Sequence, residues 1–236
     1  RYNETSKMTI REDKIPWVNE SVGRMLDALD KMSLAKDTLV IFTSDNGPLN
    51  SPVAREKGHQ PTGPYRGVKS MIYEGGTRVP FIARWPGHIP AGVSSDQLVC
   101  LTDVLATVAE LCGDPLREED HPDSVSLLPV LLQTSDAPVR DNLVTLSFEG
   151  FLTLQKGQWK AAFGTKWHGG FISPKYGAKR PENVPKNSPE LGQLFNISKD
   201  PYEKKDVWET HPEVVKMLRK ELGRIRKLVE DDPKDW

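Results

Sequence analysis

Apolar residues recur at steps of three and four from Ile15 onward, at Val18, Val22, Met25, Leu26, Leu29 and Met32. This is the stripe of an amphipathic helix, and the spacing predicts helix from Ile15 to about Lys36. The period then changes. Thr38 to Thr43 is a continuous β-branched and apolar run, Thr-Leu-Val-Ile-Phe-Thr, of the kind found in strands buried on both faces. A helix followed by a buried strand points to an α/β sheet. Gly- and Pro-rich sequence from Gly47 to about Gly67 predicts a long loop, and loops of that length in compact domains tend to carry function. Val79 to Trp85 predicts a second short strand closed by Pro86-Gly87. Thr102 is expected to cap an apolar helix that runs through Leu111 and stops at Gly113.

From Asp141 the pattern alternates instead. Leu143 to Leu146, Phe151 to Leu154, Trp159 to Phe163 and Gln193 to Ile197 read as short strands separated by turns, and so as a small antiparallel sheet. Lys166 to Pro189, rich in Gly, Pro and Lys, reads as a surface excursion. Pro212 to Val229 carries the helical stripe Val215, Leu218, Leu222, Ile225, Leu228. The change of texture places a domain boundary near Ala137 to Asp141, dividing the chain into 1–140, part of an α/β core, and 141–236, a smaller α+β subdomain.

Composition narrows the partners. With 236 residues, 37% hydrophobic and 28% charged, the chain is large enough to bury a real core, and a net charge of -1 gives no reason to expect nucleic acid. No apolar run approaches the ~20 residues that a membrane span needs. The two cysteines, Cys100 and Cys112, lack metal-ligand or redox spacing and read as partly buried thiols flanking a helix. Arg1 opens the sequence in a polar stretch that leads into the first helix, so further sequence is expected to precede it.

The chemistry-bearing segment is Ser44-Asp45-Asn46-Gly47, at the C-terminal end of the predicted buried strand, where ligands of open α/β sheets gather. A carboxylate beside a carboxamide oxygen offers two hard donors suited to calcium or magnesium, and Gly47 permits a sharp turn behind them. Asn-Gly is equally a turn signal, and the tetrapeptide alone leaves both readings open. Lys69 precedes Glu74-Gly75-Gly76, and its ammonium could hold a sulfate or phosphate oxygen where the glycines allow close backbone approach.

Four blocks together resemble the sulfatase family. They are Thr-Ser-Asp-Asn-Gly-Pro at 43–48, Tyr-Arg-Gly-Val-Lys at 65–69, Tyr-Glu-Gly-Gly-Thr-Arg-Val-Pro at 73–80 and Arg-Trp-Pro-Gly at 84–87. The resemblance continues through Leu101 to Leu105, Ser126 to Pro129, Gln193 to Asn196 and Asp200-Pro201, and covers nearly the whole chain as that family's C-terminal portion. It implies an alkaline-phosphatase-like mixed sheet flanked by helices, present in part, with the small C-terminal antiparallel sheet and helix. It also implies that Asp45 and Asn46 ligate Ca2+, that Lys69 binds the sulfate group as the catalytic lysine, and that His59 faces the substrate pocket. The implied substrate is a sulfate ester, either a small molecule or a sulfated glycan, and the implied compartment is the periplasm, the cell exterior or the lysosome.

The family's nucleophile is a formylglycine made from a Cys/Ser-x-Pro-x-Arg motif, and the sequence contains none. Cys112 to Arg117 and Ser135 to Arg140 each have proline and arginine at the wrong offset. The expectation is therefore a sulfuric-ester hydrolase, arylsulfatase or carbohydrate sulfatase, represented by a portion that cannot act alone. The alternatives are a phosphoesterase of the alkaline-phosphatase superfamily and a non-catalytic, truncated sulfatase-like protein.

Overall fold

The computed structural model describes residues 12–49, 51–117, 123–148, 151–163 and 192–230. Helix α1, Lys14–Lys31, follows the apolar stripe but ends earlier than the spacing predicts. Ser33 enters the left-handed region at φ 56, and a short 3-10 turn, Ala35–Asp37, leads into strand β1, Val40–Thr43. Neither element is buried as the sequence suggests. α1 has no fully buried residue and β1 is half-buried, with Thr43 exposed. A stripe records a face that requires cover, and the described residues supply β1 with a single partner strand.

That partner is β2, Phe81–Arg84, paired antiparallel in the register Val40↔Arg84 to Thr43↔Phe81. The expected long loop between them contains a short helix, α2 (Pro52–Glu56), because Ser51 accepts the Ala54 N–H at 3.3 Å and Pro52 opens the first turn. Glu74–Thr77 forms a single helical turn, α3.

Helix α4, Asp103–Leu111, ends at Gly113 (φ 76) as the pattern predicts. Its start differs from expectation. The Thr102 hydroxyl bonds to Asp123 O at 2.9 Å, while the Asp103 carboxylate accepts the Cys100 and Val125 N–H groups at 2.7 and 3.0 Å. Cys100 is half-buried and Cys112 is exposed, so one of the two thiols does not pack as a small hydrophobe. α5, Leu128–Leu131, precedes the second sheet.

The second sheet has the order β3-β4-β5-β6, all antiparallel: Asn142–Leu146, Leu152–Lys156, Trp159–Phe163 and Gly192–Asn196. The excursion at 166–189 lies outside the described residues. Alternation decides both faces. Leu154, Ala161 and Leu194 are successive register partners and face α6, Pro212–Glu230, whose Val215, Leu218 and Leu222 are buried against them together with Trp208. The opposite face carries Lys160, Ala162 and Phe195, and there Ala162 and Phe195 pack on Ile72 and Tyr73. The sheet is thus covered on one side by α6 and on the other by the segment leading into α3. Among the described residues, no helix is long and apolar enough to cross a membrane.

Candidate functional site

The antiparallel register of β1 and β2 creates the site. Pairing Thr43 with Phe81 sets the residues leaving β1, 44–47, beside those entering β2, 74–80. The Gly47 N–H donates to Gly76 O at 2.9 Å, the Lys69 N–H to Pro48 O at 2.8 Å, and the Gly75 N–H to Arg66 O at 2.7 Å. Backbone lies directly on backbone here, and only glycine fits. A Cβ at Gly47 would overlap Gly75 O, and one at Gly75 would meet the carbonyl oxygens of Arg66 and Gly67. Ser70, the residue after Lys69, is held at φ 80, a conformation a serine adopts only when its surroundings impose it.

Asp45, Asn46 and Lys69 line one open cleft of about 1390 Å³, whose other wall includes Thr145, Gln155 and Lys160 of the second sheet. Four of the cations lining it are already neutralised. Arg78 pairs with Glu74 at 3.1 Å, Arg140 with Asp103, Lys156 with Asp141 and Glu221, and Lys160 with Glu74 and Glu203. Among the described residues, Lys69 is the lining cation with no carboxylate partner.

Asp45 is exposed, and its carboxylate receives a long 3.4 Å bond from the Ser44 hydroxyl. Asn46 donates its Nδ2 to Gly47 O at 3.1 Å, which leaves Oδ1 as an acceptor. Two hard oxygens thus stand at one strand end, fit in type for calcium but short of the six to eight that it takes. No group of three or more His, Cys, Asp or Glu able to hold a metal occurs among the described residues. His59 follows α2, where its N–H donates to Ala54 O, and it is not among the residues lining the cleft.

Behind the cleft wall lies a buried charge cluster. Lys160 of β5, 4% exposed at its side chain, bonds Glu74 Oε1 at 2.8 Å and lies 2.9 Å from Glu203 Oε1; the two carboxylates are 9% and 0% exposed. Glu203 Oε2 accepts the Glu74 N–H at 2.7 Å, and Arg66 donates to Glu203 O at 3.0 Å while stacking on Tyr73. Burial disfavours the charge on Glu74, but the Lys160 ammonium and Arg78 guanidinium outweigh it and hold that carboxyl below its ordinary range. For Glu203 burial prevails over Lys160 and pushes the carboxyl up. Burial also raises the Tyr73 phenol, which stays a donor and bonds Gln193 Oε1 at 2.7 Å.

A family model described as Sulfatase matches residues 3–114. The N-acetylgalactosamine-6-O-sulfatase of Bacteroides thetaiotaomicron is 35% identical over 96% of this chain, which spans 43% of that protein. Human arylsulfatase A is 33% identical over 88% of the chain, which spans 41% of it. A solved Bacteroides thetaiotaomicron structure, from a locus for the metabolism of multiple glycosaminoglycans, superposes with a TM-score of 0.81 at 33% identity. That superposition covers 96% of this chain and 46% of that one. Across nearly its whole length the chain is similar to sulfatases. Those solved structures have the alkaline-phosphatase-like α/β fold, and this chain spans less than half of their length.

Several residues that shape the cleft were not singled out from the sequence. Glu74 reads there as part of a turn, Lys160 as a lysine within a strand, and Glu203 as one acid in a polar stretch. One signal was available for Lys160, since Ala162, two positions along the same face of the strand, is apolar and does not continue a charged solvent face.

Proposed function

We propose that this chain is the C-terminal part of a calcium-dependent sulfuric-ester hydrolase, in which Lys69 holds the sulfate group and Asp45 and Asn46 contribute oxygen ligands to Ca2+. The observation that carries the reading is the ammonium of Lys69, without a carboxylate partner among the described residues, in a cleft whose other lysines and arginines are neutralised, alongside two hard oxygens. A sulfate ester bears one negative charge spread over its free oxygens, and one uncommitted cation matches it. Calcium, when bound, would withdraw charge from those oxygens and so favour attack at sulfur. The chain's own residues bind and orient. The Lys69 backbone is tied through its N–H to Pro48 O and the Asp45-Asn46 turn through the Gly47 N–H to Gly76 O, so one backbone cluster presents both the lysine and the oxygen donors.

Cleavage needs a nucleophile. The sequence holds no Cys/Ser-x-Pro-x-Arg from which formylglycine is made, so the 236 residues alone bind an anion and do not turn over an ester. The likeness to human and bacterial sulfatases supports an arylsulfate or sulfated carbohydrate as substrate and a periplasmic, extracellular or lysosomal setting, and His59, outside the cleft lining, is assigned to the wider substrate pocket from the sequence resemblance alone. The same reading divides the chain near Ala137 to Asp141, with 1–140 in the catalytic core and 141–236 as the smaller subdomain that closes the cleft. The test is calcium retention by the complete protein that contains these residues. Asp45→Ala should lower bound calcium after dialysis, as measured by atomic emission, and an unchanged stoichiometry would refute the metal assignment.

A further inference from the structure

We infer that Phe148 is a stacking platform for the sugar ring of a sulfated carbohydrate whose sulfate lies on Lys69; the inference rests on the reading of Lys69 just given. Phe148 is 80% exposed, the most exposed large hydrophobic side chain among the described residues, and it lines the same cleft as Asp45, Asn46 and Lys69. Its position is built. Between β3 and β4 the chain reverses through Ser147, whose N–H donates to Phe151 O at 2.9 Å and whose hydroxyl accepts the Phe151 N–H at 3.0 Å. The Phe148 N–H then donates to Ser70 O at 3.2 Å. Ser70 is the left-handed residue next to Lys69, so the backbone that presents the ring is tied to the backbone that presents the ammonium.

The lining chemistry selects the occupant. On the sheet wall of the same cleft, the Thr145 and Thr153 hydroxyls bond each other and Gln155 is a neutral hydrogen-bonding group, while among the described residues every lining cation other than Lys69 has a carboxylate partner. A ligand with a single anionic group, many hydroxyls and one apolar face matches that combination. A pyranose sulfate has all three, since the C–H groups on one side of the ring are apolar and their positive hydrogens suit the negative face of an aromatic ring. A polyanion would need further free cations, and a purely apolar ligand would leave Lys69 unpaired.

The test uses the 236-residue chain and saturation-transfer NMR, which detects weak binding without turnover. The probes are N-acetylgalactosamine 6-sulfate, its unsulfated counterpart, nitrophenyl sulfate and inorganic sulfate. In the wild type, saturation should reach the sugar ring C–H protons, and inorganic sulfate should compete. Phe148→Ala should lose ring saturation and weaken binding of the sulfated sugar by about three- to tenfold, the fold-change that an aromatic stacking contact corresponds to, while leaving inorganic sulfate unaffected. Phe148→Trp should preserve both signals. Because the side chain is exposed, the variants should keep the wild-type thermal midpoint.

If Phe148→Ala binds the sulfated sugar as tightly as wild type while Lys69→Ala does not bind it, the stacking role is wrong and the sulfate reading stands. If nitrophenyl sulfate depends on Phe148 and the sugar does not, the commitment to a carbohydrate is overturned. If inorganic sulfate fails to bind wild type, or binds Lys69→Ala equally well, the reading of Lys69 falls and the inference falls with it.

Discussion

Lys160→Met removes the one cation shared by Glu74 and Glu203 while roughly keeping its volume. The ammonium sits 2.8 and 2.9 Å from two carboxylates that are 9% and 0% exposed, and among the described residues only Glu74 has a second ion-pair partner, Arg78, which is 52% exposed. Removing one member of a buried ion cluster leaves uncompensated buried charge and costs about 3–5 kcal/mol. Against a total stability of about 5–15 kcal/mol, this is a large fraction and should be read directly from urea unfolding. Tryptophan fluorescence is a suitable probe, because Trp159 and Trp208 belong to the core beside β5 and α6. The cost should shrink as the pH is lowered through the carboxylate range, since protonation removes the charges left behind. A loss below about 1 kcal/mol at neutral pH, or a loss of the same size in acid, would show that the cluster is not held by charge pairing.

Three further outcomes follow from the same geometry. Gly47→Ala should destabilise by about 1–3 kcal/mol through overlap with Gly75 O, with Gly23→Ala, which meets open space in α1, as a stable control; equal midpoints for the two would contradict the close approach. Glu203→Gln should show a wild-type advantage that falls as the pH rises, because burial raises the Glu203 carboxyl in the folded state, so stability is fullest below the unfolded value and is lost through the folded one; an advantage that grows toward neutral pH would reverse the sign. Leu218→Ala, at 0% exposure between α6 and the sheet, should cost about 2–5 kcal/mol in a denaturant melt, and a loss under about 1 kcal/mol would deny it a place in the core.

Local periodicity reports which face of an element is apolar, and that much was legible. The stripe Val215, Leu218, Leu222 gave α6 and its buried side, and alternation at Trp159 to Phe163 gave β5. What covers a face is a tertiary fact. The same kind of stripe marks α1, yet Ile15, Val18 and Met25 are 60, 41 and 60% exposed. Lys160 failed in the opposite sense. It occupies the β5 face that alternation assigns to solvent, but residues 72–74, more than eighty positions earlier in the chain, lie across that face and turn a surface lysine into a buried one.

The candidate site divides in the same way. Asp45, Asn46 and Lys69 were readable because strand end, glycines and family blocks lie close together in sequence, and all three line one cleft. The pairing of Arg140, Lys156 and Lys160, which makes Lys69 distinctive, depends on contacts across 37, 65 and 86 positions and could not be read locally. Ser51-Pro52 did carry a cap and a first-turn proline, so the helix inside the long loop was a missed local signal rather than a tertiary effect.

The central claim, that this chain supplies the sulfate-holding lysine of a sulfuric-ester hydrolase, is tested most directly by turnover in the complete protein that contains it. With calcium present, the wild type should hydrolyse nitrophenyl sulfate in strong preference to nitrophenyl phosphate. Lys69→Ala should lower kcat/KM for the sulfate ester by about a hundredfold or more without moving the thermal midpoint. Preferential hydrolysis of the phosphate ester, or full sulfate turnover in the Lys69→Ala protein, would contradict the account.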